Sequence, residues 1–194
     1  YQPLMDFIKQ QSLDTDIFCF QEVFNTNTDL KESFGFRLNL LGEISKILPE
    51  HQSYFAPCVD NYIAGAFQPN FTDFNLSWGL VIFINKKMRI DKAGDFFVYR
   101  SRNYFDPNNL DTLPRNTQYI NFENNGRKFT VCNLHGIWLK EGKNDTPSRV
   151  EQSKKIVSFF NQQKGGKILV GDFNLNLNTK SIELLEESLI NLIR

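Results

Sequence analysis

Apolar residues arrive along this chain in short runs and stripes that alternate between two periods. Leu4, Phe7, Ile8 and Gln11 share one face at helical spacing, with Pro3 tolerated in the first turn, so a short helix opens the sequence. Ile17–Phe20 follows as a continuous apolar run, which predicts a strand covered on both faces. Leu41, Ile44 and Leu48 form a stripe within Leu38–Leu48, a second helix that Pro49 ends. Ser53–Val59 reads as a strand and Asp60–Ser77 as a long loop rich in Asn and Phe. Trp78–Ile84 and Asp95–Tyr99 read as strands joined through a polar turn. Asn116–Phe122 alternates apolar and polar positions, Asn125-Gly126 supplies a turn whose residues tolerate positive φ, and Arg127–Leu134 returns, which together predict a hairpin. A polar loop, Gly136–Asp145, precedes Thr146-Pro147, which can cap and start a helix carrying Val150, Ile156, Val157 and Phe160. Lys167–Gly171 reads as another buried strand, and Ile182, Leu185, Leu189 and Ile193 as one face of a final helix. The pattern predicts a single mixed α/β domain over residues 1–194.

Composition supports a folded core. The 194 residues include 19 Phe, 6 Tyr and 2 Trp, enough large side chains to bury a substantial interior and to exclude a disordered or collagen-like chain. No apolar run approaches the 18 or so residues of a membrane span; the longest is Trp78–Ile84. Net charge is zero, which argues against a protein that coats nucleic acid non-specifically. The zero conceals a gradient. Residues 1–60 carry 4 basic and 9 acidic side chains, whereas residues 86–167 carry 16 basic and 8 acidic ones. Such a centre can face a phosphate-bearing ligand or simply be a solvated lysine-rich surface. Cys19, Cys58 and Cys132 are odd in number and form no CxxC, so neither a zinc site nor a redox pair is indicated, and a reducing, cytoplasmic setting is expected.

Candidate chemistry gathers where apolar strands stop. Gln21-Glu22 follows Ile17–Phe20; a carboxylate there either caps a neighbouring helix or binds something positive. Asn133 and His135 close the hairpin strand and alternation puts them on one side of it, where a histidine can be catalytic or a satisfied structural residue. His51 sits beside Pro49 and Glu50 in what reads as an exposed turn. Gly171-Asp172-Phe173-Asn174 leaves the last strand sharply, with Asp172 and Asn174 projecting together and Phe173 turned to the core; Asp-x-Asn also occurs in ordinary turns. Arg115 can bind phosphate as a fork or be an exposed arginine before a strand. Tyr104, with Arg100 and Arg102 nearby, can line a substrate groove or cover the core. Gly165-Gly166-Lys167 is too short for a phosphate loop, and no GxSxG elbow occurs.

Taken together, Asp16–Glu22, Val131-Cys132-Asn133-Leu134-His135 and Val170-Gly171-Asp172-Phe173-Asn174 resemble, in order and spacing, the endonuclease/exonuclease/phosphatase family of deoxyribonuclease-like phosphoesterases. Trp78–Phe83 resembles that family's central Gly-bearing strand. The resemblance implies a four-layer α/β/β/α sandwich of two mixed sheets. It also implies a Mg²⁺-dependent phosphoester hydrolase (nuclease, phosphodiesterase or phosphatase), with Mn²⁺ as a substitute. By the same resemblance, Glu22 is the metal ligand, Asp172 orients or deprotonates the attacking water, and Asn174 contacts a phosphoryl oxygen while holding Asp172. His135 contacts phosphate and assists proton transfer. Asn133, Arg115 and Tyr104 are the expected substrate-side residues, Asn133 more as support, while Gln21 reads as a turn residue. Arg149 and Gln152 resemble a polar pair of relatives, with helix packing as their expected role. Relatives begin with a strand ending in Asn and finish on an Asp-His segment; neither pattern occurs here, so the sequence is expected to be a piece lacking both, monomeric, and of itself incomplete for catalysis. The substrate class stays open between nucleic acid, a small phosphorylated molecule and a phospholipid head group; Phe67, Phe71, Phe74 and Trp78 can contact bases or lipid, with core packing as their expected role. Two other classes remain: a non-catalytic binding or scaffold member of the same fold, and a metal-independent glycosidase using Glu22 and Asp172 as a carboxylate pair.

Overall fold

The strand Asn75–Asn85 (β5) is buried along nearly its whole length, and its two faces serve two different interiors. In the computed structural model, which describes residues 1–28, 32–33, 36–63 and 74–193, β5 is the centre of a three-stranded antiparallel sheet. It lies between Ile17–Thr26 (β1) and His51–Ile63 (β4). Val81 and Phe83 pack against Met5 and Ile8 of helix α1 (Gln2–Gln11) and against Leu40 and Ile44 of helix α2 (Leu40–Ile47). Ile82 and Ile84, on the opposite face, meet Ile120, Phe122 and Val131 of a second sheet. Alternation therefore buries both faces of β5, which is why its sequence is unbroken in apolar character.

The second sheet has the order Ile90–Tyr99 (β6), Arg115–Asn124 (β7), Arg127–His135 (β8) and Gly166–Asp172 (β9), with β8 and β9 parallel and the other pairs antiparallel. Its outer face is covered by α3 (Pro147–Asn161) and α4 (Lys180–Glu186): Cys132 and Leu134 pack on Ile156, Phe160, Ile182 and Leu185. The layers are thus helix, sheet, sheet, helix. A two-residue pairing of Glu32–Ser33 (β2) with Phe36–Arg37 (β3) and a 3₁₀ turn at Leu110–Thr112 complete the regular elements. Thr146 caps α3 by accepting the Arg149 amide, with Pro147 in its first turn, as its sequence predicts. No described helix is long and apolar enough to cross a membrane.

Several expectations change. The expected loop Asp60–Ser77 is narrower, because β4 extends to Ile63 and β5 starts at Asn75; Phe67 and Phe71 lie outside the described residues. Phe74 and Trp78 do pack in the core, as expected of them, in an aromatic inter-sheet cluster with Cys58, Val59 and Phe105. The final helix stops at Glu186: Leu189 still packs, but Ile193 is 78% exposed. β1 and β9 are half-buried rather than enclosed, since each lies at the edge of its sheet. His51 is not in an exposed turn; it begins β4, is buried, and its Nε2 is bonded to Thr15 O at 2.9 Å. The three cysteines are free thiols, and burial pushes Cys19 up to about 12 and Cys58 up to about 11, so they behave as small apolar residues.

The two sheets are also joined by polar bridges. Gln118 of β7 donates to Tyr54 O, Asn116 of β7 donates to Ala56 O at 3.1 Å, and Asn133 of β8 donates to Phe20 O at 3.0 Å and Val81 O at 3.4 Å. The Phe20 carbonyl lies where β1 bulges, with Gln21 and Glu22 opposite the single residue Leu80, and a bulge disrupts the ladder locally. Asn133 is fully buried, so truncation leaves those carbonyls without this donor. Asn133→Ala should cost about 1–3 kcal/mol of unfolding free energy. An unchanged denaturant midpoint would show that the bridge contributes nothing.

Candidate active site

The bulge in β1 decides where Glu22 goes. Its backbone adopts φ 57°, a left-handed conformation that costs a non-glycine residue about 1–2 kcal/mol, and its side chain stands 75% exposed. Gln21 is not a turn residue: it lies within the strand, and its Nε2 donates to Asn133 Oδ1 at 2.7 Å. Asn133 in turn donates back to Phe20 O, so the residue before the bulge and the first residue within it are held through one amide. Asn133, expected on the substrate side and there more as support, has no solvent exposure, and both of its amide atoms are bonded within the protein.

Two residues beyond Asn133, on the same face, His135 closes β8. In the parallel register His135 pairs with Asp172, and Leu134 with Gly171. Gly171 takes φ 129°, and a Cβ there would come within 2.0 Å of Leu134 O, so only glycine lets the strand leave at this point. Asp172 then emerges exposed, with its Oδ1 accepting the Asn174 amide at 3.0 Å, while Phe173 packs on the core. Asn174 occupies the left-handed region at φ 52° and is buried.

Gly136 is the hub that the sequence reading passes over. Its amide donates to Asp172 O at 2.7 Å; its carbonyl accepts Arg115 Nε at 3.1 Å and Asn174 Nδ2 at 3.3 Å. A Cβ at this position would sit 2.0 Å from Phe173 O. A His-Gly pair at a strand end was the available signal, but close approach of two backbones is a tertiary fact.

Arg115 is buried rather than exposed before its strand. Burial lowers its pKa, and the Glu22 and Asp172 carboxylates oppose that shift through space. The same cation acts on His135. Burial first, then Arg115, push the imidazole down to about 3, with Asp172 pulling the other way. The ring is therefore neutral near pH 7. The 3.8 Å separation of its Nε2 from Glu22 Oε1 exceeds hydrogen-bond length and is not an ion pair in that state. Glu22, Arg115, His135, Asp172 and Asn174 thus form one constellation. Tyr104 stands 67% exposed in the loop after β6 and has no hydrogen bond to these residues. Nearby, Arg102 pairs with Asp95 and Arg100 lies over the Tyr99 ring.

The loop after Gly136 is held from beneath. Arg149, fully buried, donates to the carbonyls of Ile137, Gly142 and Asn144, and Gln152 Oε1 accepts the Ile137 amide. The pair does pack α3, and in doing so fixes residues 137–144. As for cations, no three His, Cys, Asp or Glu side chains cluster among the described residues. Glu22, exposed and without a hydrogen bond among them, is the carboxylate that could hold one.

The sequence matches no protein-family model and no curated protein. Among solved structures the chain is similar to a mannosyl-6-phosphatase from Bacteroides thetaiotaomicron, at TM-score 0.64 and 20% identity over 96% of this chain and 61% of that one. It is similar to an endonuclease/exonuclease/phosphatase family protein from Leptotrichia buccalis, at TM-score 0.65 and 14% identity over 96% of this chain and 66% of that one. It is also similar to TDP2 from Caenorhabditis elegans, at TM-score 0.52 and 17% identity over 90% of this chain and 44% of that one. These likenesses establish that the chain has the endonuclease/exonuclease/phosphatase fold. It spans about three fifths of the length of the first of these structures.

The neutral His135 has a measurable consequence. Between about 6.5, where the unfolded ring titrates, and about 3, the unfolded chain binds the extra proton, so this residue's contribution is fully present above 6.5 and lost as pH falls. Metal-free protein should lose up to about 1.4 kcal/mol per pH unit relative to His135→Gln from pH 6.5 downward. Urea unfolding of both proteins at pH 7, 6 and 5 checks this; parallel profiles would contradict it.

Proposed function

We propose that this protein hydrolyses phosphoesters with the help of a divalent cation, Mg²⁺ by preference. The reading is carried by the convergence on Gly136 of Arg115, Asn174 and Asp172, with His135 next to it in sequence and Glu22 facing that histidine. Phosphoester hydrolysis needs charge opposite the phosphoryl oxygens, a positioned water and a group to take its proton. This constellation offers one group for each need.

Arg115 brings a positive charge preset in position, since its Nε is tied to Gly136 O and the side chain is buried. His135, as a neutral ring, offers a phosphoryl oxygen an N–H. Asn174 has a second Nδ2–H beyond the one given to Gly136 O. Asp172 uses Oδ1 to accept the Asn174 amide, which fixes its carboxylate and leaves Oδ2 to orient the attacking water and accept its proton. Glu22 is a hard oxygen donor with no competing hydrogen bond among the described residues, and Mg²⁺ characteristically binds through one or two carboxylates with water and phosphate oxygens completing its shell. When bound, such a cation supplies Lewis-acid polarisation of the phosphoryl group. Strained backbone at both Glu22 and Asn174 supports a functional reading, because such conformations concentrate at sites held by their surroundings. Phosphatase action on a sugar phosphate is what the name of the Bacteroides thetaiotaomicron structure describes for that protein, and a small phosphorylated molecule is accordingly the substrate class proposed here ahead of nucleic acid.

A panel of phosphomonoesters and phosphodiesters tests the reading. Chelator should abolish hydrolysis and Mg²⁺ should restore it. Glu22→Gln and Asp172→Asn should each lower kcat by roughly 10²–10⁴. Full activity in chelator would overturn the metal-assisted mechanism and favour a carboxylate-pair hydrolase.

A further inference from the structure

Trp138 has no assigned role in this constellation, yet its setting is unusual. It lies three residues past His135, which limits its Cα to roughly 10 Å from that of the histidine. The indole is 41% exposed and has neither a ring contact nor a hydrogen bond among the described residues. A large amphipathic side chain of this kind usually buries its ring or pairs its N–H.

The backbone flanking it, by contrast, is held at several points. The preceding residue, Ile137, is buried, gives its amide to Gln152 Oε1 and has its carbonyl doubly bound by Arg149. Lys140 gives its amide to Asp111 Oδ1 in the 3₁₀ turn, and Asp111 O accepts the Tyr99 hydroxyl. Arg149 binds Gly142 O and Asn144 O; Asn176 donates to Asn144 Oδ1, and its own amide reaches Lys143 O. Asp145 closes the loop by accepting from Lys180 N, Ser181 N and Ser181 Oγ at the start of α4. A guanidinium thus gathers the loop's carbonyls, and flanking elements secure its amides. Binding through an aromatic on such a loop adds little backbone ordering cost, because the backbone entropy was lost on folding and only the indole's rotamers remain to be fixed.

We propose that Trp138 is a specificity-determining residue that stacks on a ring in the alcohol part of the phosphoester, a sugar or a nucleobase, while the phosphate lies among Arg115, His135 and Asn174. The proposal rests on the phosphoesterase reading and names the substrate class within it. The ring's flat face is the shared chemistry, and stacking of this kind changes affinity by roughly tenfold.

The chain's two tryptophans make the test direct, since Trp78 is buried in the core. In an Asp172→Asn, Trp78→Phe chain, which retains Trp138 and turns ligand over far more slowly, inorganic phosphate, glycerol phosphate, a hexose phosphate and a nucleoside monophosphate are titrated with Mg²⁺ present. Binding is followed by calorimetry and by tryptophan emission. The ring-bearing ligands should bind about tenfold tighter than glycerol phosphate and shift the emission, and Trp138→Ala should remove that preference. Preference for the hexose phosphate over the nucleotide, or the reverse, identifies the source of the ring. Binding with unchanged emission, or a preference that survives Trp138→Ala, overturns the role of Trp138 and leaves the phosphoesterase reading standing. If no phosphate ligand binds, both fall. Should Trp78→Phe prevent folding, the ligand preference of the Asp172→Asn chain with and without Trp138→Ala decides the matter by calorimetry alone.

Discussion

The side-chain amide of Asn133 is the contact on which the geometry of this protein turns. A β-bulge places Gln21 and Glu22 opposite one residue of the neighbouring strand, and the Phe20 carbonyl beside it accepts its bond from across the sandwich. Asn133 supplies that bond and receives one from Gln21. Apolar contact between the sheets is non-directional and would tolerate small slips. A buried amide bonded to named atoms would not, because each lost bond leaves a desolvated polar group. The orientation of Glu22 and the position of His135, two residues further along the same strand, are therefore set by one element.

Electrostatics in the constellation follows from the same burial. Arg115 is withdrawn from water, which makes its charge act at longer range than a surface arginine's. Part of that field falls on His135 and adds to the desolvation that keeps the ring neutral. The carboxylates of Glu22 and Asp172 remain exposed on the other side, so a buried cation faces exposed anions around one backbone carbonyl, that of Gly136.

Behind that carbonyl, the loop from Ile137 to Asp145 has no regular secondary structure and is nonetheless rigid in its bonding. Arg149 organises it much as a metal ion would, by collecting carbonyl oxygens. Its guanidinium can do so because a planar fork with five N–H groups reaches several acceptors without a counter-ion in contact. Helix α3 thus carries its apolar face to the sheet and, through Arg149 and Gln152, holds the loop after Gly136.

Much of this was legible in the sequence. The periods of Leu41, Ile44 and Leu48, and of the hairpin around Asn125-Gly126, announced their elements because amphipathic periodicity follows directly from which face meets water. Glu22, His135, Asp172 and Asn174 stand out in the sequence because each follows or ends an apolar run, although β1 continues past Glu22 to Thr26. The sequence could not show that Arg115 and His51 are buried, that Gln21 sits in a bulge, or that Asn133 is turned wholly inward. Those outcomes depend on which strands become edges and which sheet faces which, and no local pattern records that. The sequence by itself determined the elements and the chemical groups at their ends; the tertiary structure decided which of those groups are dry and which are wet, because burial comes from the partner sheet and not from neighbours along the chain.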